Sequence, residues 1–211
     1  MSHIEINHDD EPIRLFKSDF LEFFTHISPI AVLIIWVPVV IFFLFQGITM
    51  AKSNLIFIPI AYILGLFLWT LAEYLLHRFV FHFRPRNKFQ ERISFLFHGV
   101  HHAQPKMKTR LVMPPALAIP LASLFWLLFW VIFSKLLNIP AWYGPTFSGF
   151  ITGYIIYDMM HYATHHFPMR KGVWKWLKRY HMQHHYKAPN LLFGVSNPLW
   201  DYVFSTTLKE K

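Results

Sequence analysis

Four apolar runs set the outer limits on how this chain folds. They cover roughly residues 29–45, 55–76, 116–137 and 142–160. Each approaches the length a helix needs to cross a hydrocarbon core about 30 Å thick. In lipid the backbone must satisfy its own N–H and C=O groups, so such runs resolve into helices. Short connections near 50–54 and 138–140 join them as two hairpins, leaving longer basic segments at 77–113 and 161–211. The expected fold is an all-α membrane protein: one domain, 1–211, with four transmembrane helices under a cytoplasmic helical cap.

Composition agrees with that class. Hydrophobic residues make up 55% of the 211, charged residues only 15%, and there are 23 Phe. Cysteine is absent, which excludes disulfides and thiolate metal sites and leaves nitrogen and oxygen as ligands. The formal charge of +9 sits beside apolar runs, which favours an anionic membrane surface over nucleic acid. Only Lys52 and Lys135 fall on the opposite side, while eight Lys and Arg lie between the second and third runs and eight after the fourth. The positive-inside rule then predicts cytoplasmic termini and four crossings. The first residues lack the pattern of a cleaved signal peptide. Apolar residues at Ile13, Phe16, Phe20, Phe23, Phe24 and Ile27 predict an amphipathic interfacial helix over 12–27.

Histidine is the chemistry of this chain. The pattern H-x-x-H-H occurs twice, as His98, His101, His102 and as His181, His184, His185. At about 100° per helical residue, positions i, i+3 and i+4 share one face, so each cluster predicts three imidazoles aimed at one point. His161 and His165 add a pair four apart. His77 and His82 lie five apart, a turn of about 140° on a regular helix, so they serve one site only where the helix departs from α geometry. Ten imidazoles exceed the coordination number of one ion, and two adjacent ions with about five His each is the economical reading. Spacing does not assign each His to an ion. His166 reads as a neighbour rather than a ligand, and His3, His8 and His26 lie outside every cluster.

Two carboxylates accompany these histidines. Glu73 precedes His77 by four residues and Asp158 precedes His161 by three, so each is expected to accept a His N–H and fix its tautomer. Direct ligation by Glu73 and contact of Asp158 with a substrate head group are the alternatives. Neither lies mid-run, where a transporter places its polar groups. The segment 193–206, with Trp200, Asp201, Tyr202 and Phe204, suits either a closure over the site or an aromatic anchor at the interface.

The His pattern resembles the fatty acid hydroxylase and sterol desaturase superfamily, and more narrowly the sphingolipid fatty acid 2-hydroxylases. The likeness runs through Pro12 to Phe16, Ile35 to Pro38, Glu73 to Leu75, His77 to His82, Arg110 to Val112, Pro114-Pro115, Tyr157-Asp158, His161-Tyr162, Phe193-Gly194 and Leu199 to Asp201. All ten family ligand positions are His here: His77, His82, His98, His101, His102, His161, His165, His181, His184 and His185. The resemblance implies two iron ions, replaceable by zinc in isolated protein, which use O₂ to hydroxylate C2 of a long-chain fatty acyl lipid. Tyr157 and Asp158 are the expected catalytic residues at the acyl head. Many eukaryotic members carry a cytochrome b5 domain that this sequence lacks. Electrons are therefore expected from a separate cytochrome b5-like protein or ferredoxin, with the chain in a bacterial inner membrane or the endoplasmic reticulum. The competing expectations are sterol or carotenoid hydroxylation, desaturation, and a non-catalytic metal transporter or haem carrier.

Overall fold

The computed structural model describes residues 6–7, 11–51 and 55–208, and all regular structure within them is helical. In chain order the α-helices are α1 (Asp19–Phe23), α2 (Pro29–Met50), α3 (Phe57–Leu75), α4 (Lys88–Ser94), α5 (Val100–Ala103), α6 (Pro115–Trp130), α7 (Tyr143–His166), α8 (Gly172–Tyr186) and α9 (Leu199–Val203). His3 and His8 lie outside the described residues.

Helix α7 is the axis of the molecule, packed chiefly on α3 and then on α2, with α6 against a further side. Small residues allow the close approach. A Cβ on Gly65 would overlap the Thr146 carbonyl, and one on Gly149 would overlap that of Tyr62, so α3 and α7 touch backbone to backbone. Aromatic edges fill the space around that contact: Trp69 meets Phe150 at 5.1 Å and Trp36 meets Tyr154 at 5.4 Å between ring centroids.

Three helical stretches among the described residues are long and apolar enough to cross a membrane: Pro29–Met50, Phe57–Phe81 and Lys108–Leu136. Their outer faces expose Ile34, Phe42, Phe45, Ile63 and Leu124, a surface that suits lipid and not water. The fourth expected span corresponds to α7, whose 24 residues are long enough but less apolar. The physical reason is its central place. Most of α7 is buried against its neighbours, so Thr146, Ser148 and Tyr154 face protein and not the bilayer.

Two local features depart from expectation. The helix predicted over 12–27 is limited to the five residues of α1. Upstream, side chains from elsewhere satisfy the backbone: Gln104 Oε1 accepts the Ile13 N–H at 2.8 Å, and Glu22 Oε2 accepts those of Leu15 and Phe16 at 2.9 and 2.8 Å. With those donors engaged, no helix is required of residues 13–16. The second feature is π-helix at Leu76–Phe81 and Phe95–Gly99, directly beside histidines of the site.

Candidate metal centre

Each histidine reaches the centre for a local reason. The His82 N–H donates to the His77 carbonyl at 3.0 Å, an i→i+5 bond that closes a wide turn. That turn brings together two side chains that a regular α-helix sets apart. Helix α7 delivers His161 and His165 one turn apart on one face. Helix α8 and the segment 95–103 supply the two triplets.

The ten imidazoles form two groups of five. His77, His82, His98, His102 and His184 make one, and His101, His161, His165, His181 and His185 the other. In each group one nitrogen per residue lies within 4.8 Å of all the others. The expectation that each triplet aims at one point is corrected here. His98 and His102, four apart, serve the first group while His101 between them serves the second. On α8 the roles exchange, with His181 and His185 in the second group and His184 in the first. The groups lie on either side of each triplet, so the i, i+4 pair turns one way and the remaining residue the other.

Within the groups Nε2 atoms stand almost in contact. His77 and His98 are 3.1 Å apart and His82 and His184 3.0 Å. In the second group the contacts run unbroken from His161 to His101 (2.9 Å), His185 (3.0 Å), His181 (3.1 Å) and His165 (2.9 Å). A neutral ring nitrogen either donates one proton or offers one lone pair, so protons alone cannot satisfy such a chain. A shared cation can. Metal–nitrogen bonds of about 2.1 Å at right angles bring neighbouring nitrogens to about 3.0 Å. The residues present fit a transition metal in each group.

Electrostatics favour the same role. Burial and neighbouring imidazoles hold His98, His101, His102, His181 and His185 well below the ordinary histidine range, and burial lowers His184 to about 4. Neutral rings keep their lone pairs available. The Nδ1–H of His184 donates to the Leu191 carbonyl at 2.7 Å, and that of His77 to the Phe193 carbonyl, which leaves both Nε2 atoms bare.

A cavity of about 320 Å³ adjoins the centre. His98, His101 and His161 form part of its wall, together with Tyr157, Asp158 and Arg110, and the rest is mostly apolar: Leu15, Phe16, Phe24, Phe81, Leu96 and Leu117 among others. The Arg110 guanidinium holds the Glu22 carboxylate and the Ile13 carbonyl, which draws the 13–25 segment over the cavity.

The carboxylates do not act as expected. Glu73 makes no hydrogen bond to a histidine among the described residues; Oε1 accepts the N–H groups of Val195 and Ser196 at 2.7 and 2.8 Å, and Oε2 accepts the Ser196 hydroxyl. Asp158 likewise receives no His N–H among the described residues. Both its oxygens face the Met113 N–H at 3.3 Å, which fixes the backbone that lines the cavity. The short sequence distance from each acid to a histidine misled, because a buried carboxylate takes whatever backbone donors the fold brings to it. His166 stands apart from both groups, its ring against Tyr162 at 4.7 Å, and His26 lies on Arg110 and Thr109. Glu22 was missed as a contributor, and Arg110, quoted only in the family resemblance, was given no role. The available signal was an arginine beside the Leu111-Val112 apolar pair and an acid inside an aromatic run.

A model of the fatty acid hydroxylase family matches residues 62–206, a range that holds all ten histidines. The chain belongs to the fatty acid hydroxylase family. It is an enzyme, and its relatives bear hydroxylase names. The dihydroceramide fatty acyl 2-hydroxylase FAH1 of Arabidopsis thaliana is 38% identical over 193 residues, covering 92% of this chain and 79% of that protein. The fatty acid 2-hydroxylase of Rattus norvegicus is 36% identical over 221 residues, 95% of this chain and 58% of its own length. Among solved structures, full-length scs7p, in which only the hydroxylase domain is visible, is 37% identical with a TM-score of 0.82, covering 90% of this hydroxylase and 70% of that chain.

Proposed function

We propose that this hydroxylase inserts oxygen at C2 of long-chain fatty acyl groups of sphingolipids or ceramides, the chemistry its relatives are named for. The observation that carries the reading is the cavity walled on one side by His98, His101 and His161 and elsewhere by apolar side chains. An unactivated C–H bond offers no acid, base or leaving group, so the oxidant must come from a metal while the protein positions the chain.

His77, His82, His98, His102 and His184 would hold one iron ion and His101, His161, His165, His181 and His185 the other. When bound, these ions supply activation of O₂ with electrons from a separate donor of the cytochrome b5 or ferredoxin kind. The chain's own work is to bind, orient and keep dry. Apolar lining accepts the acyl tail. Tyr157, in the cavity wall with its ring 5.7 Å from that of His161, would offer its hydroxyl to the acyl carbonyl, since C2 is the next carbon. Asp158 holds the Met113 backbone, another part of the cavity lining, in register. The Arg110–Glu22 pair draws 13–25 over the opening and excludes water.

In the membrane, α2, α3, α6 and α7 would make four crossings, with the histidines and both termini on the cytoplasmic side. The exposed Phe20 and Phe23 beside Lys17 and the basic α8 surface suit the headgroup layer. Expression in a host free of 2-hydroxy lipids, followed by lipid profiling, tests the function. Accumulation of 2-hydroxyacyl sphingolipids is the expected result. A sterol, carotenoid or desaturated product in their place would overturn it.

A further inference from the structure

The two five-histidine groups are not supported alike. The loop from Leu191 to Ser196 lies against the first of them. Its Leu191 and Phe193 carbonyls accept the Nδ1–H groups of His184 and His77, and the Phe193 ring packs on His77, His82 and His184 at 5.8, 5.7 and 5.9 Å. All three histidines belong to the first group.

The loop is itself pinned at every N–H from 192 to 196. Leu192, held in the left-handed region at φ 62°, donates to the Thr206 carbonyl at 2.9 Å. Phe193 and Gly194 donate to the two oxygens of Asp201 at 2.9 and 2.7 Å. Val195 and Ser196 donate to Glu73. Thr206 Oγ1 closes the set by donating to Asp201 at 2.7 Å. Asp201 is wholly buried and Glu73 nearly so, and an unfavourable backbone such as that of Leu192 persists only where its surroundings over-determine it.

No loop comparable to this one is seen against the second group among the described residues. There Nδ1 of His101, His161, His181 and His185 has no hydrogen-bond partner, whereas in the first group His77 and His184 are both held and His82 is left without one. A ring whose far nitrogen is free keeps both tautomers and some freedom to rotate. We propose that Glu73 and Asp201 are positioning residues that, through the 191–196 loop, make the His77–His184 group the tighter metal position, filled first and emptied last. This rests on the reading that both groups hold metal.

The test uses the full chain in detergent, loaded with cobalt(II) as the probe and titrated with EDTA. Cobalt per chain and its visible absorption are followed together. The expected result is loss in two steps separated by at least about tenfold in chelator. His165→Ala should lack the first step. Asp201→Asn, which replaces one acceptor oxygen with a donor, should shift the second step alone by about 10–100-fold. Glu73→Gln should do the same, so the proposal does not depend on one variant folding. A single step in the unmodified chain would overturn it, as would an Asp201→Asn or Glu73→Gln effect confined to the first step or equal on both. A chain that binds no cobalt would instead bring down the metal reading itself.

Discussion

The rings of His102 and His185 stack at 4.2 Å between centroids with 27° between their planes, yet they belong to different five-histidine groups. The two groups therefore share a wall. Removing either ring takes a ligand from one group and the packing partner of a ligand from the other. His102→Ala should lower metal content at both positions, whereas His165→Ala, at the edge of the second group, should lower it at one. Elemental analysis of the purified variants distinguishes these outcomes; a loss of one ion in both variants would refute the shared wall.

Tyr157→Phe tests the polar end of the cavity. If the hydroxyl meets the acyl carbonyl, its removal costs about one hydrogen bond, on the order of 1–1.5 kcal/mol, or roughly tenfold in kcat/KM. Metal content should not change. Unaltered kcat/KM and product position would remove Tyr157 from the site.

Glu22 links pH to the cover of the cavity. Burial disfavours its charge, but N–H groups of Phe16 and Leu15 and the Arg110 guanidinium outweigh that and hold its carboxyl below the ordinary range. A depressed carboxyl pKa contributes stability that is present above the unfolded value of about 4.3 and is lost as pH falls through the folded value. Hydrogen exchange at the Leu15 and Phe16 amides should therefore accelerate as pH drops below about 4, after correction for intrinsic rates. Glu22→Gln should show faster exchange already at neutral pH and no such acid-dependent step.

The α3–α7 contact tolerates no side chain at its centre. Gly149→Val places atoms where the Tyr62 carbonyl lies and should push the helices apart at a cost of about 1–3 kcal/mol or more. Gly172→Ala is the contrast: nothing lies near its Cβ, and only the positive φ of 57° opposes it, so the cost should be about 1 kcal/mol. Thermal unfolding in detergent should rank them in that order.

The long apolar runs and the ten histidines were legible because both follow local periodicity. Their division was not. The triplets read as single faces, and only the placement of α5, α7 and α8 around a shared wall shows that His101 and His184 turn away from their neighbours. The five-residue gap between His77 and His82 signalled a departure from α geometry without revealing the π-turn that closes it. The backbone partners of Glu73 and Asp201 lay beyond reach for another reason. Glu73 acts on Val195 and Ser196, more than a hundred residues away, and no periodicity encodes that pairing. The short α1 reflects the same limit: a stripe of apolar residues predicts a helix, but Gln104 and Glu22 satisfy the backbone of 13–16 without one.

Hydroxylation at C2 of an acyl chain by two metal ions held on ten histidines is the function proposed. Its most direct test joins iron analysis of the purified chain to the lipid profile of expressing cells, for the unmodified protein and for His184→Ala. Two iron ions per chain with 2-hydroxyacyl lipids, both diminished in the variant, is the expected result. A single haem per chain, or 2-hydroxyacyl product undiminished in His184→Ala, would contradict it.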